Sequence, residues 1–166
     1  LLRENKPQSL ETEILMIDIK IMQDASEIIR YDSDKLPYAI QERLLSQFTE
    51  RRALCHWHPD IECIRIYEGS MCYEINGEQI LLQTGDIVIV NSGQLHYGYA
   101  HDDEDCKFCV ELIHPDIFKT NLHIYQENVY PIIHASGITY WLYHKEDSNY
   151  QQVASLLDQI FDIRNN

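Results

Sequence analysis

The chain has 166 residues, with 13 Lys and Arg against 27 Asp and Glu and a formal net charge of −14; that length is one domain's worth of protein. A surface this acidic repels phosphate and gains nothing from counterion release, which argues against nucleic-acid binding by this segment itself. At 45% hydrophobic and 10% aromatic it can build a core, and no apolar run approaches the roughly 18 residues of a bilayer span. The start, Leu1-Leu2-Arg3-Glu4-Asn5-Lys6, lacks the apolar stretch and small-residue cleavage site of a signal peptide. Five cysteines, an odd number, fit a reducing compartment. The expectation is a cytoplasmic protein without membrane contact. Because the chain begins without Met and stops at Asn165-Asn166 directly after a helical pattern, it reads as a piece of something longer.

Residues 1–37 form an N-terminal arm and lead-in; 10–22 fit neither structural period cleanly, so strand and helix both stay open there. From Tyr38 onward short apolar segments recur at 61–67, 70–75, 79–82, 86–90, 95–99 and 107–113, separated by Gly, Asn, Asp and Pro. Regular short strands with such punctuation predict a sandwich or barrel over 38–114. Asn76-Gly77 between two of these runs predicts a type I′ hairpin, since both central positions need positive φ. Thr84-Gly85-Asp86 turns the chain into Ile87-Val88-Ile89-Val90, apolar on both faces and so buried on both. Cys106 and Cys109 have C-x-x-C spacing but lie three apart in a strand, on opposite faces, and read as ordinary thiols. The acidic loop 101–105 lacks the ligand spacing and glycine of a calcium loop and reads as a solvated connection.

Residues 115–166 are expected to be a helical extension. Pro115 opens a short helical turn, and 138–143 is one more strand or an aromatic lid. Ser148 can cap a helix over 148–163, in which Val153, Leu156, Leu157, Ile160 and Phe161 form one apolar stripe. That stripe either packs on the barrel or makes a dimer interface.

The chemistry concentrates in Cys55-His56-Trp57-His58-Pro59-Asp60-Ile61-Glu62 and in His96. In an extended chain His56 and His58 share a face, and Glu62 has the same parity beyond a short turn. Three imidazoles and a carboxylate, with water completing the shell, suit a divalent first-row metal.

The spacing His56-x-His58-x-x-x-Glu62, then Gly69, resembles the first motif of the cupins, and Gly85 followed by Asn91, Gly93 and His96 resembles the second. The resemblance implies a mainly β, cupin-type jelly-roll barrel followed by C-terminal α-helices, with His56, His58, Glu62 and His96 as metal ligands. Asn91 and Ala100 depart from the pattern, standing where the second motif usually has proline and asparagine. The finer texture, including Tyr67-Glu68-Gly69, Ile75-Asn76-Gly77 and 91–96, resembles the N-terminal ligand-sensing domain of AraC-type bacterial transcription regulators over about 38–163. That implies a small-molecule effector, often a sugar, a homodimer, and DNA contact only through a helix-turn-helix part not in this chain. It implies a divalent ion such as Zn, Ni or Fe and no organic cofactor; without an ion, the four side chains would hydrogen-bond one another or anchor a polar effector. Trp57, Arg65, Tyr73 and Tyr97 are the candidate effector contacts, with Tyr67 and Tyr99 as further pocket material. A stand-alone metal-dependent cupin enzyme, a sugar isomerase or dioxygenase, is the alternative; a module that only binds other proteins is the third reading.

Overall fold

The computed structural model describes residues 16–33 and 35–165, excepting the side chains of 163–165. Eight strands, β1 (Tyr38–Leu44), β2 (Ile61–Glu68), β3 (Ser70–Ile75), β4 (Glu78–Gln83), β5 (Ile87–Val90), β6 (His96–Ala100), β7 (Lys107–Ile113) and β8 (Tyr140–Tyr143), form two antiparallel sheets. One has the order β1-β7-β2-β5-β8 and the other β4-β3-β6. The architecture is the expected one, mainly β with helices after the barrel. The strand segments expected at 70–75 and 107–113 coincide with β3 and β7.

Alternation along each strand supplies the interior. Ile64 and Ile66 of β2, Met71, Tyr73 and Ile75 of β3, Val88 and Val90 of β5, and Phe108 of β7 join Leu45, Leu82 and Cys106 in one buried cluster. The hairpin is as predicted: Asn76 and Gly77 have φ of 51° and 85°. β5 is closed on both faces, with Ile87 turned outward against Tyr150, Ala154 and Leu157 of the C-terminal helix (Tyr150–Asn165) and Val88 turned into the barrel. Cys106 and Cys109 are both buried and outside any disulfide; Cys106 belongs to the interior, and Cys109 stands across from the outward Arg65.

Three features differ from the sequence reading. β1 carries Gln41, Glu42 and Arg43, too polar a run to register as a strand, yet it pairs with β7 along its whole length. The barrel does not end at 114, because β8 pairs with β5 and settles 140–143 as strand. The C-terminal helix starts at Tyr150, so Asn149 flanks it and Ser148 lies outside. Pro115 does open a 3-10 turn, Pro115–Thr120. Of the ambiguous segment 10–22, residues 10–15 lie outside the described residues; 16–22 is neither helix nor strand beyond a bridge from Ile21 to Glu27.

Candidate ligand and metal site

His56 and His96 face each other as an isolated antiparallel bridge, each backbone N–H donating to the other's carbonyl at 3.1 and 2.8 Å. Gly93 N–H donates to the His58 carbonyl at 2.9 Å, so the loops carrying the two histidine motifs are joined by backbone before any side chain acts. β2 then delivers Glu62. His58 Nε2 lies 3.2 Å and His96 Nε2 3.5 Å from Glu62 Oε2, while Tyr73 donates its hydroxyl to Glu62 Oε1 at 2.5 Å.

The electrostatics follow from burial and partners. Burial alone would raise the Glu62 pKa, but His96 and His58 together hold it well below the usual carboxylate range. Burial likewise opposes charge on His58, which is 1% exposed, and the adjacent Glu62 nevertheless raises its pKa. Tyr73 is pushed well up, by burial first and by the Glu62 charge second.

Whether these residues suit a metal ion is decided by their donor atoms. His56 Nδ1 sits 2.6 Å from the Leu54 carbonyl and His96 Nδ1 2.8 Å from the Gln94 carbonyl. Each carbonyl requires the proton on Nδ1, so Nε2, once unprotonated, is the nitrogen left to ligate, the outer-shell arrangement of metal-binding histidine. His96 Nε2 is buried without a hydrogen-bond partner among the described residues. One ligand atom from each of His56, His58, Glu62 and His96 lies within 4.8 Å of the others. Two ligands on one ion stand at most about 4.2 Å apart, so binding requires at most a small contraction. The four buried side chains could therefore hold a divalent ion.

Above this cluster lies a cavity of about 650 Å³. Its walls include Ile64, Met71, Tyr73, Phe108, Val110 and Leu112, with His56 and Glu62 at one side and residues 17–20 and 27–30 of the arm across the mouth. Gly98 belongs to this wall for a steric reason: a Cβ there would lie 2.9 Å from Met71 Sδ and 3.2 Å from the Tyr73 ring.

The four expected ligands and Tyr73 thus converge on one spot. Of the other three effector candidates, Tyr97 borders the cavity and Trp57 and Arg65 do not. Trp57 alternates with His56 and His58 and turns away; it is not among the cavity-lining residues, and its ring N–H donates to the Asp24 carbonyl at 3.0 Å. Arg65 points out of the opposite face of β2 and meets Asp158 of the C-terminal helix at 2.5 Å. Tyr97 borders the cavity, but its hydroxyl donates to Glu74 at 2.7 Å and its ring stacks on Tyr99, Arg52 lying 4.7 Å from the centroid.

Further residues outside the expected ligand and effector sets shape the site. Glu27 of the arm reaches His56 Nε2 at 3.0 Å. It is put there by pairing of 25–27 with Trp57: Trp57 N–H donates to the Ala25 carbonyl and Glu27 N–H to the Trp57 carbonyl, both at 2.9 Å. Asp60, buried behind His58 with Oδ2 3.8 Å from its Nδ1, accepts from Tyr31 at 2.9 Å. Asn91 is buried and donates to the carbonyls of both Ile132 and Ile138 at 2.9 Å, lashing the helical extension to the barrel. A proline could make none of these side-chain bonds, which gives that departure from the cupin pattern a physical reason.

The family profile described as AraC-like ligand binding domain matches residues 41–165. The chain belongs to that family. This AraC-like domain is accordingly a ligand-binding unit. It is 26% identical over 148 residues to the uncharacterized HTH-type transcriptional regulator YdeC of Bacillus subtilis, covering 89% of this chain and 50% of that protein. The chain therefore spans about half the length of this curated relative. Among solved structures it is similar to a Cupin 2 conserved barrel domain protein from Salinispora arenicola, with 13% identity, 72% of this chain and 96% of that chain covered and a TM-score of 0.46. It is similar also to the plu4264 protein of Photorhabdus luminescens, with 16% identity, 68% and 100% coverage and a TM-score of 0.45.

Proposed function

We propose that this domain is the sensing half of a bacterial AraC-type transcription regulator, binding a small effector in the barrel cavity and passing occupancy to a helix-turn-helix DNA-binding part outside the described chain. The observation that carries the reading is the cavity of about 650 Å³ lined by the arm and by His56 and Glu62 of the cluster, within the usual size range of small-molecule sites. The printed name of the Bacillus subtilis relative, an HTH-type regulator, supports the second half. Occupancy alters DNA affinity only through a difference in effector affinity between two states of the protein. The arm and the C-terminal helix are the elements placed to differ, since Glu27 touches the cluster and Asp158 touches β2.

In this reading His56, His58, Glu62 and His96 hold Zn, Ni or Fe, which when bound supplies a Lewis-acidic anchor for an effector oxygen. Tyr73 orients Glu62, and the carbonyls of Leu54 and Gln94 keep two imidazoles in the ligating tautomer. The chain works in the cytoplasm as a homodimer through the helix around 148–163, on which Leu156 is 52% exposed. A sugar effector follows from the family resemblance alone.

Thermal unfolding with and without Zn, Ni and Fe(II), and with a panel of sugars and organic acids, tests the sensing reading: at least one compound raises the midpoint. A panel that leaves the midpoint unmoved refutes it. Light scattering at micromolar concentration reads the dimer separately, and a monomer there removes only that part.

A further inference from the structure

Two polar residues of β1, Gln41 and Arg43, face inward, while Glu42 between them faces out. The β1–β7 register sets Gln41 across from Val110 and Arg43 across from Phe108, and the β2–β7 register continues each row to Ile64 and Ile66. Gln41 and Arg43 therefore line the cavity alongside Ile64, Phe108 and Val110. A guanidinium in such a wall gives up hydration, and burial lowers the Arg43 pKa accordingly. Its partners are both neutral: the Gln41 side-chain oxygen and, at 3.4 Å, the Glu42 carbonyl. Among the described residues no carboxylate pairs with it. Arg65, the cation on the opposite face of the same sheet, has Asp158 at 2.5 Å. Of the carboxylates that line the cavity, Glu62 is committed to His58, His96 and Tyr73 and Glu27 to His56, and Asp18 of the arm is in no ion pair with Arg43 among the described residues.

We infer that Arg43 anchors the carboxylate of an effector whose body is apolar, a medium-chain or aryl monocarboxylic acid lying against Ile64, Met71, Phe108 and Val110. The inference deepens the reading of the cavity as an effector site and rests on it. The chemistry is that of a planar fork: a guanidinium offers parallel N–H donors that match two carboxylate oxygens, and the pairing is strongest where water is excluded. Gln41, in hydrogen bond with the guanidinium, positions the fork. Beside it the side chains of Ile64, Phe108 and Val110 form an apolar stretch of wall that buries a hydrocarbon body favourably. On a chain of net charge −14 a cation set into the cavity wall also makes the interior locally favourable to an anion that the surface repels.

The test uses the 166-residue chain with octanoate and phenylacetate, their neutral amides octanamide and phenylacetamide, and D-glucose, by calorimetric titration and thermal unfolding at one ionic strength. The acids raise the unfolding midpoint and bind about 10- to 100-fold more tightly than their amides, the range expected for one charge-assisted hydrogen-bonded pair. Arg43→Gln removes that preference, Arg43→Lys retains part of it through charge without the fork, and Arg65→Gln on the outer face leaves it intact. Should Arg43→Gln fail to fold, Arg43→Lys carries the comparison. Acids and amides of equal affinity, or acid affinity unchanged in a folded Arg43 variant, overturn the inference. Binding of D-glucose or the amides with no response to the acids overturns it while leaving the sensing reading standing. No response to any probe overturns both.

Discussion

Glu62 and Glu111 are buried carboxylates on opposite faces of one sheet, and they are held in opposite ways. Glu62 faces into the barrel, where Tyr73, His58 and His96 surround it and keep it ionised. Glu111, across from Cys63 on the outer face, is 5% exposed, and its Oε2 has no hydrogen-bond partner among the described residues. Burial raises its pKa from 4.5 to about 7, with Arg65 pulling it down and Asp158 pushing it up. The difference teaches that burial does not decide the charge state; the number of aligned partners does. The inner face is built to stabilise a charge and the outer face is built for apolar packing under the C-terminal helix, with one carboxylate left incompletely satisfied.

Four measurements break or sharpen that contrast. Glu62→Ala removes the carboxylate that His58, His96 and Tyr73 share; it is expected to cost about 3–5 kcal/mol in urea unfolding and to abolish any metal-induced rise in the unfolding midpoint. A small loss would mean that the inner carboxylate is no better supported than the outer one. Next is Glu111→Gln, read as the difference from wild type across pH. In the wild type the unfolded carboxyl releases its proton near 4.5 and the folded one near 7, so between these values the folded state binds more protons and stability falls as pH rises. That loss is complete about one unit above pH 7 and amounts to about 3 kcal/mol. Glu111→Gln has no such dependence, and parallel pH profiles for the two proteins would refute the assignment.

Glu27→Ala breaks the contact between arm and cluster, costing about 1 kcal/mol and making residues 17–30 more susceptible to limited proteolysis. The smallest effect is at Arg65, whose partner Asp158 is 61% exposed: Arg65→Ala should lower stability by less than about 1 kcal/mol. A larger loss would show that the outer ion pair, rather than the apolar contacts of Ile87 with Tyr150 and Leu157, holds the helix down.

Much of the barrel was legible because period-2 alternation and turn chemistry are local. The ligand set was legible for the same reason, since His56, His58 and Glu62 share parity and His96 follows a glycine turn. The same parity already turned Trp57 away from the two histidines, a signal that the choice of Trp57 as an effector contact overlooked. Arg65 was harder: β2 is buried on both faces, so alternation separates two sets of residues without saying which one faces the cavity. β1 was missed because Gln41 and Arg43 look like surface residues until a cavity is there to receive them. Glu27 and Tyr31 come from a segment without periodicity, and only the pairing of the arm with Trp57 brings Glu27 to His56.

By itself the sequence determined the β architecture, the hairpin at Asn76-Gly77, the C-terminal amphipathic helix and the identity of the four clustered side chains, because each depends on neighbours a few residues apart. Tertiary structure alone decided which face of β2 looks inward, that the arm closes over the cavity, and that Arg43 meets an apolar wall while Arg65 meets an acid. Those outcomes depend on which strands are neighbours in space, and the free energy that selects them, burial of one face against another, is shared among segments far apart in the chain.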